Sequence, residues 1–149
     1  MKTLLRSALL FALVLSLAAC SSGTTLTGED RDAVLAYSEP LADVVFAAFE
    51  SGSYADFSAN LSDDMKTGMD ETAFNNLKAQ LDEKVGSYQS REVTSVIEIK
   101  EDMVVIYKAV YSNAPEVTVR LVFSTAEPHQ LTGLWQGNRT KTRGGKIGP

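Results

Sequence analysis

The chain of 149 residues is expected to fold as an α+β domain, with N-terminal helices packed on a curved, four-stranded antiparallel sheet. Three observations predict this. Apolar residues recur at three- and four-residue spacing as far as Val85. After Gly86 the pattern changes to alternation rich in Val, Ile and Tyr. Three short turn-forming stretches then cut the second half into four segments, as an antiparallel meander requires. Helices followed by a meander pack in layers, with the helices on one sheet face.

The first helix is expected over Glu29–Glu50. Val34, Leu41, Val44, Val45, Ala48 and Phe49 form its apolar face, and Glu29, Asp30 and Asp32 crowd a first turn where the helix dipole favours acids. Pro40 lies inside this pattern. Either it kinks one helix, or Ser38 caps a second that begins nearby. Gly52 suits the C-terminal stop. Ser53 opens a short helical piece carrying Tyr54, Phe57 and Leu61, and Ser62-Asp63-Asp64 opens another carrying Met65 and Met69. Asp70 starts the clearest helix, "DETAFNNLKAQLDEKVG", with Phe74, Leu77, Leu81 and Val85 on one face and Gly86 closing it.

Tyr88–Ile99 reads as the first strand, with Val93, Ser95, Ile97 and Ile99 facing one way. "KED" turns the chain into Met103–Tyr111, and "SNAPE" turns it into a strand with Val117, Val119, Leu121 and Phe123 on one face. "AEPHQ" leads to the last strand, Leu131–Gln136.

The segment from Leu35 to Gly137 resembles small NTF2-like or cystatin-like domains of unknown function, the DUF3887 type, found in bacterial and archaeal lipoproteins. The resemblance rests on Phe49, Gly52, Tyr54, Phe57, Leu61, Ser62, Met65, Gly86 and Tyr88. It implies a curved sheet wrapped around a helix. It also implies a cone-shaped cavity between sheet and helices, which some relatives use for isomerase or hydrolase chemistry. Tyr88, Tyr107, Tyr111 and Trp135 would line such a pocket, suited to a small apolar ligand, with core packing as the alternative role for these residues.

The N-terminus reads as an address. Lys2 and Arg6 precede an apolar run from Ser7 to Leu17 that ends in small residues, the layout of a secretory signal. A spanning helix needs about 20 apolar residues, more than this run supplies. Leu17-Ala18-Ala19-Cys20 is similar to the lipobox of bacterial lipoproteins. That resemblance implies removal of residues 1–19 and acylation of Cys20, including its new amino terminus with a chain such as palmitate. Two or more acyl chains hold a protein firmly at a membrane. Residues 20–28 then read as a flexible tether, residues 29–138 as the domain, and the basic, glycine-rich residues 139–149 as a disordered tail. The expected location is the cell envelope, outside the cytoplasm. Ser21 is compatible with an outer membrane where the source has one.

Composition narrows the chemistry. Without residues 1–19 the chain carries twelve basic and nineteen acidic residues, a net charge of −7, which argues against nucleic acid as a partner. Cys20 is the only cysteine, so its acylation leaves no thiol for disulfides, redox chemistry or zinc. His129 is the only histidine, which excludes a multi-histidine metal site. In a predicted turn, it reads as a solvated residue before it reads as a general base. Asp56, Asp63, Asp64 and Asp70 are acids of helix starts; their spacing is not that of a calcium loop. No nucleophile–base pair, metal or cofactor motif stands out. The expected role is therefore a non-catalytic binding or accessory domain, anchored in membrane lipid through Cys20 and engaging an envelope protein or small apolar ligand. The alternative is a small NTF2-like enzyme, with Asp56 or a sheet tyrosine supplying the ionisable group.

Overall fold

The computed structural model describes residues 23–138. The expected signal 1–19, Cys20 and the basic stretch 139–149 lie outside them. Among the described residues, no helix is long and apolar enough to cross a membrane.

The α+β plan is present. Helices α1 (Gly28–Ser51), α2 (Tyr54–Ser58), α3 (Asp63–Gly68) and α4 (Glu71–Lys84) precede strands β2 (Tyr88–Ile99), β3 (Asp102–Tyr111), β4 (Ala114–Ser124) and β5 (Leu131–Asn138). The sheet has five strands, one more than expected. Strand β1 (Thr24–Thr25) pairs antiparallel with β2, giving the order β1-β2-β3-β4-β5. Thr24 and Thr25 fall within the stretch read as a flexible tether. They complete hydrogen bonds that the edge of β2 would otherwise leave open, and Leu26 N–H donates to Val96 C=O at 2.9 Å.

Helix α1 runs unbroken through Pro40, so Ser38 caps nothing; it is fully buried mid-helix. A proline in a helix interior costs about 3 kcal/mol. Burial of Val34, Ala42, Val45, Phe46, Ala48 and Phe49 on one face outweighs that cost. Phe46 belongs to this face although the expected stripe omitted it. The caps at Ser53, Ser62 and Asp70 form as expected: their side chains accept from the backbone N–H of Asp56, Met65 and Ala73. The junction of α2 and α3 is stitched to β5, where Leu131 N–H donates to Asn60 C=O at 2.8 Å and Ser62 N–H to Leu131 C=O at 3.0 Å.

The core fills the space between helices and sheet. Phe49, Phe57 and Phe74 meet with ring centroids 4.7–5.3 Å apart. Val105, Tyr107, Ala109 and Tyr111 on β3, and Val117, Val119, Leu121 and Phe123 on β4, supply the sheet's helix-facing side. In β2 the expected alternation is interrupted. Val93 pairs with Tyr107 but Ser95 pairs with Ile106, a bulge at Thr94, whose hydroxyl donates to Ile106 C=O at 3.0 Å. One extra residue exchanges the faces. Arg91 and Val93 therefore point to the helices with Val96, while Ser95, Ile97 and Ile99 face outward with Val104, Ile106 and Arg120.

Candidate functional site

Two regions combine polar and apolar groups in a way that bears on function. The first lies where α1 crosses the middle of the sheet. The bulge turns Arg91 inward, and its guanidinium, whose side chain is 10 % exposed, enters between two α1 carboxylates one helical turn apart. It donates to Asp43 Oδ1 at 2.8 Å and to Glu39 Oε2 at 3.3 Å. The same group lies over the Phe46 and Tyr107 rings, 5.0 and 5.3 Å from their centroids, within cation–π range. The Tyr107 hydroxyl donates to Glu39 Oε1 at 2.8 Å.

Electrostatics follow from this packing. Burial, then the hydrogen bond to Glu39, hold the Tyr107 phenol far above its ordinary range. The carboxylates of Asp43 and Glu39 raise the Arg91 guanidinium further, more than offsetting the opposing effect of burial. Each charge here answers another. Glu39 accepts from both Tyr107 and Arg91, so both of its carboxylate oxygens are engaged. The cluster bolts α1 to β2 and β3.

The second region is an open groove between α4 and the β4–β5 edge, with a volume of about 580 Å³. Met69, Leu77, Leu81, Val85, Val117 and Leu134 make its apolar lining. Gln80, Lys84, Gln136 and Gly137 contribute at its margins, with Trp135. Helix α4 makes the groove because Phe74 anchors it in the core, while Leu77 and Leu81, three and seven residues on, are only partly buried. Leu77 and Leu81 therefore keep part of their surface between two buried anchors of the same stripe, Phe74 and Val85. Gln136 sits on β5 opposite Val119, on the helix-facing side, with its Oε1 buried and unpartnered.

The four expected pocket aromatics do not share one cavity. Tyr107 is fully buried. Tyr88, Tyr107 and Tyr111 gather around Phe46: Phe46 is 4.7 Å from Tyr88 and 6.0 Å from Tyr107, and Tyr88 is 5.8 Å from Tyr111. They pack as core, and burial pushes the Tyr111 phenol up to about 12. Trp135 is separate. It pairs with Arg120 on the outward face of the sheet, is 52 % exposed, and carries the Arg120 guanidinium 5.3 Å from its ring. Of the four, only Trp135 borders the groove.

The remaining candidates resolve simply. His129 is not a free turn residue: its ring stacks on Tyr37 at 3.7 Å and its Nδ1 lies 3.1 Å from Ser124 C=O. Asp56 is exposed and itself lines an open cavity of about 450 Å³ with Val44, Ala47, Ser51 and Asn60. Among the described residues, no three His, Cys, Asp or Glu side chains converge as a metal site. Reading the sequence missed Glu39, Asp43 and Arg91. The i, i+4 acids beside Pro40 were visible, but the charge that faces them depends on the bulge. It missed the groove as well, since Leu77 and Leu81 read as ordinary core.

A helical layer packed on an antiparallel meander defines a small α+β domain with an open apolar groove beside α4 and an ionic cluster that ties α1 to the sheet. The chain belongs to the DUF3887 family, described as a protein of unknown function, whose model matches residues 42–134. That span runs from mid-α1 to β5 and contains the groove's apolar lining, but it begins after Glu39 and ends before Trp135, Gln136 and Gly137. No curated protein and no solved structure matches the chain.

Proposed function

We propose that this protein is a lipid-anchored accessory domain of the cell envelope that holds a small apolar ligand and performs no chemistry of its own. The observation that carries the reading is the groove beside α4. Its volume of about 580 Å³ and its Leu, Val and Met lining have the size and character of small-molecule sites. Its margins hold amide and ammonium groups but no nucleophile next to a base. The ion-paired cluster around the buried Arg91 guanidinium lies elsewhere, with Glu39 and Asp43 as its partners. Anchoring rests on the lipobox-like Leu17–Cys20 and on the short apolar run before it.

Trp135 is the only tryptophan in the chain and borders the groove, which makes binding directly readable. Titration of the full chain with an apolar ligand such as a fatty alcohol is expected to shift Trp135 emission to the blue and to saturate. Leu134→Arg, placed in the trough, should abolish the shift while leaving the circular dichroism unchanged. A linear, unsaturable response that ignores Leu134→Arg would reject the groove as a site. Anchoring is tested separately: Cys20→Ala should remove incorporation of labelled palmitate and release the protein from membranes.

A further inference from the structure

The outward face of the sheet, opposite the helices, is apolar over one half. Two rows of paired residues cross the strands there. Ile97, Val104, Val122 and Gly133 make one row, and Ser95, Ile106, Arg120 and Trp135 the other. Ile97, Val104, Ile106 and Val122 each keep part of their surface, and Trp135 is exposed. Arg120 lies over the Trp135 ring and forms no ion pair among the described residues. Other charges stand at the margins of the face. Lys108 is 2.6 Å from Glu92 with Glu116 near it, towards the β3–β4 turn, and Asp102 at the opposite end accepts from Thr132 at 3.1 Å. The chain enters the domain on the apolar half. Gly23 precedes β1, and a Cβ on it would fall 2.5 Å from Ile97 and 2.7 Å from Ile99, so its backbone is pressed against the outward isoleucines.

We infer that this face lies on the lipid surface to which the chain is anchored, an inference that rests on the acylation of Cys20 proposed above. Cys20 stands three residues before Gly23, so covalent geometry holds their Cα atoms within about 11 Å of each other. A helix with its side chains is about 10–12 Å across, so a membrane beyond the helical layer is out of reach. Charge selects the same side. Thirteen of the nineteen acidic residues fall between Glu29 and Glu83, in the helical layer, which an anionic surface repels. The outward face instead offers the Arg120 guanidinium to a lipid phosphate and the Trp135 ring to the headgroup level, where tryptophan is enriched. A tether this short supplies an effective concentration on the order of millimolar. A patch too weak to hold a free domain on a membrane is therefore occupied once Cys20 is inserted.

The test uses the full acylated chain in vesicles of phosphatidylethanolamine with a minority of phosphatidylglycerol. Acylation of Cys20 leaves an introduced cysteine as the only free thiol. A fluorescent dye is attached at Ser95→Cys, on the outward face and outside the groove, or at Asp64→Cys, exposed on α3. A lipid with a nitroxide on its headgroup is expected to quench the dye at position 95 and to leave the dye at position 64 unquenched. Val104→Glu should remove the quenching at position 95 while circular dichroism and palmitate uptake stay unchanged. Equal quenching at both positions, or quenching at position 64 alone, would overturn the orientation while the anchor stood. A Val104→Glu chain that folds and is quenched like its parent would do the same. Shielding of position 95 from water that grows with the ratio of protein to lipid, without quenching, would put a second copy on the face and overturn the inference. A parent chain that takes up no palmitate would overturn anchor and orientation together.

Discussion

Replacing Arg91 by Met removes the charge that joins α1 to the sheet while keeping much of the side chain's apolar volume. The cost can be worked from the surroundings. Removing one partner from a fully buried ion pair costs about 3–5 kcal/mol, because a charge is left stranded. Here the stranded groups are Glu39 and Asp43, whose side chains are 37 % and 72 % exposed. Both can take up water, so the lower end applies and is reduced further. The contacts over Phe46 and Tyr107 add about 0.5–1 kcal/mol, partly retained by the methionine stem. The expected loss is about 2–3 kcal/mol. For a domain of this size that corresponds to a fall in Tm of about 8–12 °C. Urea unfolding followed by circular dichroism should show a lower midpoint with an unchanged slope. Arg91→Lys keeps a charge but loses the planar group that lies over Phe46 and Tyr107, and should fall between parent and Met. A methionine variant within about 0.5 kcal/mol of the parent would refute the reasoning. Desolvation of the guanidinium would then cancel its contacts, and α1 would be held by apolar burial alone.

Other perturbations probe separate parts of the fold. Stability should be flat towards neutral pH and fall as pH rises above about 10. Tyr111 and Tyr107 titrate higher in the folded chain than in the unfolded one, so the unfolded state releases its protons first. Each contributes about 1.4 kcal/mol per pH unit within that window, and the slope measured by urea unfolding should be shallower in Tyr111→Phe. Gly86→Ala should cost more than about 1 kcal/mol in the same assay, because Gly86 has φ +78° and a Cβ there would collide with the Ser112 hydroxyl. Phe74→Ala should cost about 3–5 kcal/mol, since it opens a cavity against Phe49 and Phe57. Because Phe74 also seats α4, the same variant should weaken Trp135-detected ligand binding even at temperatures where it stays folded.

Local signals in the sequence were sufficient for the layers of this fold. Ser53, Ser62 and Asp70 act within their own turns, and Val117 to Phe123 alternate without interruption, so spacing alone located these elements. The departures arise where tertiary contacts decide. Pro40 signals a break by its own chemistry, and only the long apolar face on both sides of it keeps α1 whole. Thr24 and Thr25 look like linker residues until the open edge of β2 offers them partners. The bulge at Thr94 has no glycine to announce it, yet it reverses the faces of half a strand. That reversal decides which charge meets Glu39 and Asp43, and so the ionic cluster was not legible.

The groove was hidden for a different reason. Periodicity identifies which residues of α4 face the sheet, but not how closely they approach it. Phe74 is fully buried, whereas Leu77 and Leu81 on the same stripe keep part of their surface. Each of these partly exposed leucines forfeits part of the roughly 1.5–3 kcal/mol that full burial supplies. Here coverage is incomplete in the middle of the stripe, between the buried Phe74 and Val85, on the side where the half-exposed Trp135 ring borders the groove. The ionic cluster, by contrast, involves none of the groove's lining residues. Stability and binding therefore separate by position. Arg91→Met should lower the midpoint of unfolding without changing affinity for the groove's ligand, and Leu134→Arg should do the reverse. If both variants altered both quantities together, the two regions would act as one site, and the division drawn between bolt and groove would be wrong.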